Sequence, residues 1–210
     1  HRNIMYALVE SGTITKYFSY PKGFTLGELQ YPADIFMKWS VEEKEAIGIY
    51  EVVFDDNNKK NEQWYINTNQ TFAFADGVVT ASYDTAIAKS HADSLWTQQD
   101  SDDGNLPSDK SVGDVRGEGL KTTLIRTLKS QVAGILKNTD WYITRNTEKS
   151  TAIPSSISTH RDAVRTKQAA MEAQITGAAD TAALETLYTF TEQENGSVTR
   201  PLGELPVLES

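Results

Sequence analysis

The chain predicts an α+β fold, with a small antiparallel β-meander in the N-terminal half followed by an α-helical C-terminal half. Three observations predict it. Short β-branched and aromatic runs separated by tight-turn residues fill residues 4–83. Apolar residues recur at a spacing of three and four over 124–136 and again over 158–175. Between these two regimes, residues 97–118 turn to Gln, Asp, Ser and Gly and carry Pro107. The 210 residues, 39% hydrophobic and 23% charged, suffice for one large or two small domains with a buried core. The division expected is a β-rich domain over 5–98, a flexible linker over 99–118, and a helical domain over 119–210 that ends in an extended tail.

In chain order, 4–9 and 13–20 read as two strands joined by Glu10-Ser11-Gly12, where glycine can take positive φ. Ser40-Val41-Glu42-Glu43 has capping-box spacing: Ser40 accepts from a free helix N–H and Glu43 reaches back. The short helix so opened stops at Gly48, and 49–54 resumes as a strand. Residues 55–60 are a polar turn, 63–67 and 71–75 two further strands, and Asp76-Gly77 a hairpin turn into 78–83. Two-residue turns favour antiparallel neighbours, hence the meander of about six strands. Asp84 is placed to cap a helix with Ile87, Ala88, His91, Ala92 and Leu95 on one face.

In the second half, Leu124, Ile125, Leu128, Val132, Ile135 and Leu136 form one stripe, with Arg126, Lys129, Gln131 and Lys137 opposite. Ile125, Leu128, Val132 and Ile135 also fit two heptads, a seam through which copies of the chain can pair as a homo-oligomer. A second helix over 158–175 presents Val164, Met171 and Ile175, and a third holds Leu184, Leu187 and Tyr188. The tail over 201–210, with Pro201 and Pro206, reads as extended.

The composition argues against several functions. A net charge of −9 opposes non-specific attraction to nucleic acid or an anionic membrane, because phosphate binding needs clustered Lys and Arg. There is no cysteine, so disulfides and thiolate metal sites are excluded. No apolar run approaches the roughly 18–20 residues of a membrane span, and no signal peptide is evident. His1-Arg2-Asn3-Ile4 precedes the first methionine and reads as a tag remnant.

Catalytic and cofactor motifs are missing in turn. His91 reads as a boundary histidine, and His160-Arg161-Asp162 as a surface ion-pairing trio, which leaves no zinc ligand set. No Gly-x-Ser-x-Gly elbow occurs. Aligning Gly104 to the glycine of a calcium loop puts Gln99 first and Lys110 twelfth, where acids are needed. The glycines of 113–119 lack the lysine of a phosphate-cradling loop. The expectation is a protein with no catalytic, cofactor-binding or metal-ligating residues. The N-terminal aromatics Tyr6, Tyr17, Phe18, Tyr20, Phe24, Tyr31, Phe36 and Trp39 read as sheet packing first, with an exposed recognition face as the alternative.

One stretch is more specific. The charged amphipathic helix ends in Leu136-x-x-Thr139-Asp140-Trp141, a proline-containing loop follows, and the next helix opens with Arg161 and Arg165. Thr139 and Asp140 compete for backbone hydrogen bonds and end the helix. Trp141 can then fold back as an apolar anchor. Arg161 and Arg165 share a helical face and can meet Glu148 or Asp140 across the loop. This region, about 120–176, resembles the C-terminal part of tail-fibre assembly and tail-assembly-chaperone-like proteins of tailed phages. The matching positions are Leu136, Thr139, Asp140, Trp141, Arg145, Glu148, Pro154, Arg161, Val164 and Arg165. The opening Met5-Tyr6-Ala7-Leu8-Val9 is similar to small phage proteins encoded beside tail fibres, more loosely.

The resemblance implies a non-enzymatic protein that assists tail-fibre assembly by binding a fibre or other tail protein. Its location would be the host cytoplasm during assembly, or the virion tail. Candidate binding residues are Trp141, Asp140, Arg145, Arg161 and Arg165. The competing readings are a minor structural component of the virion tail, a small enzyme on a β scaffold, and a helical-hairpin clasp with no partner contact at all.

Overall fold

A computed structural model describes residues 3–209; His1 and Arg2, half of the proposed tag remnant, lie outside the described residues. The protein is α+β, β-rich in its N-terminal half with its longer helices in the C-terminal half. It divides into two compact units, His1–Ile87 and Ala88–Ser210.

The first unit contains β1 (Tyr6–Glu10), β2 (Thr13–Phe18), β3 (Phe24–Leu26), β4 (Leu29–Tyr31), α1 (Ile35–Lys38), α2 (Val41–Ala46), β5 (Ile49–Asp55), β6 (Tyr65–Ile66), β7 (Thr71–Ala75) and β8 (Val78–Ser82). The turns follow local chemistry. Ser11 (φ 51°) with Gly12 (φ 76°), and Asp76 (φ 51°) with Gly77 (φ 74°), place two consecutive residues at positive φ, the geometry that matches strand twist in two-residue hairpins. Ser40 and Glu43 form the reciprocal capping box at α2.

The meander expectation is corrected by the strand order, β2-β1-β5-β8-β7, in which β5 and β8 run parallel. The Asp76-Gly77 turn makes β7 and β8 antiparallel but does not say which of them lies against β5. Side-chain size decides it. Small apolar residues line the middle of one face, where Ala7, Val52, Val79 and Ala81 are buried together. The larger rings of Phe72 and Phe74 sit on the edge strand β7. The sheet curls so that its two edge strands approach, with the rings of Tyr17 on β2 and Phe72 on β7 4.6 Å apart. A bulge between Leu8 and Val9 in the β1–β2 ladder adds local twist on that side.

The opposite face packs Leu8, Phe18 and Ile49 against Phe24 of β3 and Ile35 and Phe36 of α1. Ring contacts knit this core: Phe18 lies 5.1 Å from both Phe24 and Phe36, and Tyr31 stacks on Phe24 at 5.2 Å. The N-terminal aromatics therefore serve mainly as packing, although Tyr17 and Tyr20 are exposed.

Gly48 joins α2 to β5 at φ +90°, and a Cβ there would stand 2.4 Å from the Val9 carbonyl oxygen. The same approach lets the Val9 N–H donate to the Gly48 carbonyl at 2.7 Å. We expect Gly48→Ala to cost about 2–3 kcal/mol, read as a lower urea midpoint at unchanged slope.

The division falls within β9 (Ile87–Ala88), and the second unit then carries β10 (Ser94–Leu95), α3 (Gln98–Asp102), β11 (Val115–Gly117), α4 (Leu120–Lys137), α5 (Asp140–Lys149), α6 (Ser155–Gly177), α7 (Thr181–Tyr188), β12 (Thr191–Glu192) and β13 (Val198–Thr199). Two expectations are corrected here. No helix follows Asp84, since residues 87–95 carry β9 and β10 instead, and His91 is half-buried between them. The 97–118 segment is also not a featureless linker. Thr97 and Asp100 cap α3 reciprocally, β11 pairs with β10, and Arg116 both bonds Asp100 at 3.2 Å and lies 4.7 Å from the Trp96 ring.

The physical reason is non-local. The Ser90 and His91 carbonyls accept from the Leu120 and Lys121 N–H groups, and the Asp93 carboxylate accepts from the Gly119 N–H and the Thr122 hydroxyl, both at 2.7 Å. The polar groups of 90–93 thus satisfy the N-terminus of α4, which a helix of their own would prevent. The Thr122 hydroxyl and then the Gly119 N–H hold the Asp93 carboxyl below its usual range.

The core of this unit lies between the long helices, with α4 packed on α6 and α6 on α7. The expected faces are the buried ones: Leu128 and Val132 on α4, Val164, Met171 and Ile175 on α6, and Leu184 on α7. Leu128 and Val132 are covered within the single chain, so half of the four-residue oligomer seam is already occupied, and Ile125 and Ile135 are half-buried. The tail over 201–210 is preceded by a β12–β13 hairpin that the sequence reading missed. It is then pinned by Leu202, which is fully buried and whose N–H donates to the Leu187 carbonyl.

Candidate functional site

The α4–α5 corner gathers most of the candidate residues. α4 ends at Lys137 because Thr139 turns both its N–H (3.1 Å) and its hydroxyl (3.2 Å) onto the Leu136 carbonyl. The chain does not enter a loop there. α5 starts at Asp140, which is acidic in the first turn and suits the positive helix end. The break comes later, at Ser150 (φ 51°), and α6 opens after Pro154.

Arg161 on α6 closes the corner. Its Nη1 lies 2.8 Å from the Leu136 carbonyl, 2.8 Å from the Thr139 hydroxyl and 2.9 Å from an Asp140 carboxylate oxygen. Arg161 and Thr139 are buried, while the Asp140 side chain remains 58% exposed. The His160-Arg161-Asp162 trio is therefore not a surface ion pair: Arg161 is an internal clasp, and His160 is buried beside it. Arg165 does not join the clasp. It is exposed and pairs with Asp162, at 3.9 Å. Among the described residues, Glu148 forms no ion pair with either arginine.

Trp141 corrects a second expectation. It is not folded back as an anchor but stands 52% exposed on the first turn of α5. Tyr142 stacks against it, with centroids 3.7 Å apart and rings inclined by 29°. Arg145, one turn further, lays its guanidinium 4.9 Å from the Trp141 ring and 5.4 Å from the Tyr142 ring. The Arg145 Nε is buried and has no hydrogen-bond partner among the described residues. Ile143, 38% exposed, adds apolar surface to the same short helix.

Of the five candidates, the structure brings together Asp140 and Arg161 as a clasp and Trp141 and Arg145 as a surface platform, and it leaves Arg165 apart. Sequence reasoning passed over Tyr142 as a functional residue. Its i, i+3 spacing to Arg145 was the available signal, hidden because the segment was read as a loop. Chemically, the platform offers aromatic faces and a cation, which suits burial against a protein surface. Among the described residues, no group of three or more His, Asp or Glu is placed to hold a metal ion, and no helix is long and apolar enough to cross a membrane.

No family model, no curated protein and no solved structure matches this chain.

Proposed function

We propose that this chain is a non-enzymatic phage tail-associated protein that assists tail-fibre assembly by protein–protein binding, with the Trp141–Tyr142–Arg145 platform as its contact. The observation that carries this reading is a half-exposed tryptophan, stacked by a tyrosine and an arginine, on a helix whose start is clasped from inside by Arg161. Trp, Tyr and Arg are the residue types that dominate binding hot spots, and a platform already ordered loses little entropy on docking. The partner class, a fibre or other tail protein, rests on the resemblance over about 120–176. The net charge of −9 favours a specific protein partner over general adhesion to nucleic acid.

The test is co-expression with the neighbouring tail-fibre protein, scored by soluble fibre and by co-purification. The parent should raise soluble fibre and co-purify with it. Trp141→Ala should melt within about 1 kcal/mol of the parent, because the ring is half in solvent, yet weaken the complex by about 2 kcal/mol or more, roughly thirtyfold. No effect of the folded parent on fibre solubility, together with no co-purification, would overturn the assembly reading. Recovery of the protein in purified virions by mass spectrometry would instead make it a structural component of the tail.

A further inference from the structure

We propose that the Trp141 platform takes one carboxylate from its protein partner, an Asp or Glu side chain held end-on by Arg145 with an apolar neighbour packed on Trp141. This deepens the assembly reading and rests on it for the partner being a tail protein.

Six arginines lie among the described residues, and five of them, Arg116, Arg126, Arg161, Arg165 and Arg200, pair with a carboxylate of the chain. Among the described residues, Arg145 is the one arginine with no such partner, and Glu148, three residues on along α5, does not fill the place. Two of the five show the completed arrangement. Arg116 lies 4.7 Å from the Trp96 ring and pairs with Asp100 at 3.2 Å. Arg200 lies 5.2 Å from the rings of Tyr188 and Phe190 and pairs with Glu204 at 3.0 Å. Arg145 repeats the stack, 4.9 Å from Trp141 and 5.4 Å from Tyr142, without the acid.

A guanidinium can meet a ring through its face and keep its N–H donors for acceptors in its own plane. Stacking and carboxylate pairing are therefore compatible, and the chain combines them at Arg116 and Arg200. The Arg145 Nε is buried, so the donors left for an incoming carboxylate are those of Nη1 and Nη2, a two-pronged end-on fork.

The surroundings select the carrier. Trp141 and Ile143 are exposed, so an apolar side chain beside the acid gains contact area. The net charge of −9 opposes a run of acids or a phosphodiester chain, so the fit is a single carboxylate in an otherwise apolar segment. A charge pair of this kind decides which partner is accepted, because a partner lacking the acid leaves the arginine desolvated and unpaired.

The test titrates the full-length, ¹⁵N-labelled protein with N-acetyl-glutamyl-phenylalaninamide and, separately, its glutaminyl counterpart, at constant ionic strength. The Trp141 indole and Arg145 side-chain N–H signals are followed. Trp96 and Arg116 are the internal control, since Asp100 already completes that stack. The glutamyl peptide should give a saturable shift at Trp141 and Arg145, about tenfold tighter than the glutaminyl one, and none at the control pair. Arg145→Gln should keep the parent's circular dichroism, because no ion pair of the chain is lost, and should abolish the preference. In the complex with the neighbouring tail-fibre protein, Arg145→Gln should weaken affinity about thirtyfold or more, and Arg145→Lys should restore less than half of that loss. Equal affinity for the two peptides, a shift shared with Trp96 and Arg116, or equal saturation by inorganic phosphate would overturn the proposal. So would a fibre complex that weakens with Trp141→Ala but not with Arg145→Gln, which would leave the assembly reading standing. A glutamyl preference that Arg145→Gln removes, in a protein that binds no fibre, would support the carboxylate site and overturn the assembly reading instead.

Discussion

Leu128→Asp should lower the unfolding free energy by about 4–5 kcal/mol, enough to leave much of the protein unfolded at 37 °C if its stability is ordinary. Leu128 is 4% exposed on the face of α4 that packs on α6. The change removes a leucine side chain from the core and also puts a carboxylate among the apolar side chains of that face. The chain then either keeps the charge at a large desolvation cost or takes up a proton to neutralise it. The control is Ile125→Asp, one turn earlier and half-buried, which should cost about 1–2 kcal/mol. Urea unfolding monitored by far-UV circular dichroism separates them. If Leu128→Asp unfolds at the parent's midpoint, α4 does not bury this face and the helical core described above is wrong.

Arg161→Met should cost about 3 kcal/mol. Methionine keeps most of the aliphatic stem's packing, so the loss isolates the guanidinium. Nη1 carries two hydrogens and serves three acceptors: the Leu136 carbonyl, the Thr139 hydroxyl and Asp140. The acceptors are unequal. Asp140 is largely exposed, so water replaces the arginine there, and Asp140→Asn alone should cost under about 1 kcal/mol. Thr139 is buried and the arginine meets it inside the protein, where a polar atom left unpaired carries its full desolvation cost. The Leu136 carbonyl is partly protected, because the Thr139 N–H and hydroxyl still donate to it. Arg161→Lys should recover less than half of the loss, since a single ammonium cannot reproduce the planar donor geometry. If Asp140→Asn cost as much as Arg161→Met, the corner would be held by the surface ion pair and not by the internal bonds.

These two variants also separate architecture from recognition. Arg161 acts on Trp141 only through the α4–α5 corner, so Arg161→Met should weaken both stability and partner binding. Trp141→Ala should weaken binding alone. A variant pair that behaved the other way would move the contact surface from α5 to the clasp.

Much of the local architecture was legible in the sequence because its causes are local. Ser11-Gly12 and Asp76-Gly77 take positive φ for reasons internal to a two-residue turn. The Ser40–Glu43 box closes over three residues. The faces carrying Leu128 and Val132, and Val164, Met171 and Ile175, follow from helical periodicity, and these residues are buried. The misreadings share one property, that the deciding partner lies far along the chain. Residues 87–95 have the spacing of a helix, but Ser90, His91 and Asp93 are claimed by the start of α4. Residues 97–118 have a linker's composition, but Arg116 finds Asp100 and Trp96.

Of the candidate site, the sequence singled out Asp140, Trp141, Arg161 and Arg165 by residue type and order, and Arg145 by the resemblance. Only the tertiary structure could divide them by role. Whether Trp141 anchors the fold or faces solvent depends on whether Thr139–Asp140 leads into a loop or directly into α5, and Arg161, bonding across 21 to 25 residues, holds the corner that starts the helix. The sequence by itself determined the α+β class, the hairpin turns and the buried helix faces, because chirality, turn geometry and periodicity act within a few residues. The tertiary structure decided the parallel β5–β8 pairing, the exposure of Trp141 and the burial of His160 and Arg161. Those depend on which distant groups compete for the same hydrogen bonds and the same volume, and no local pattern encodes that competition.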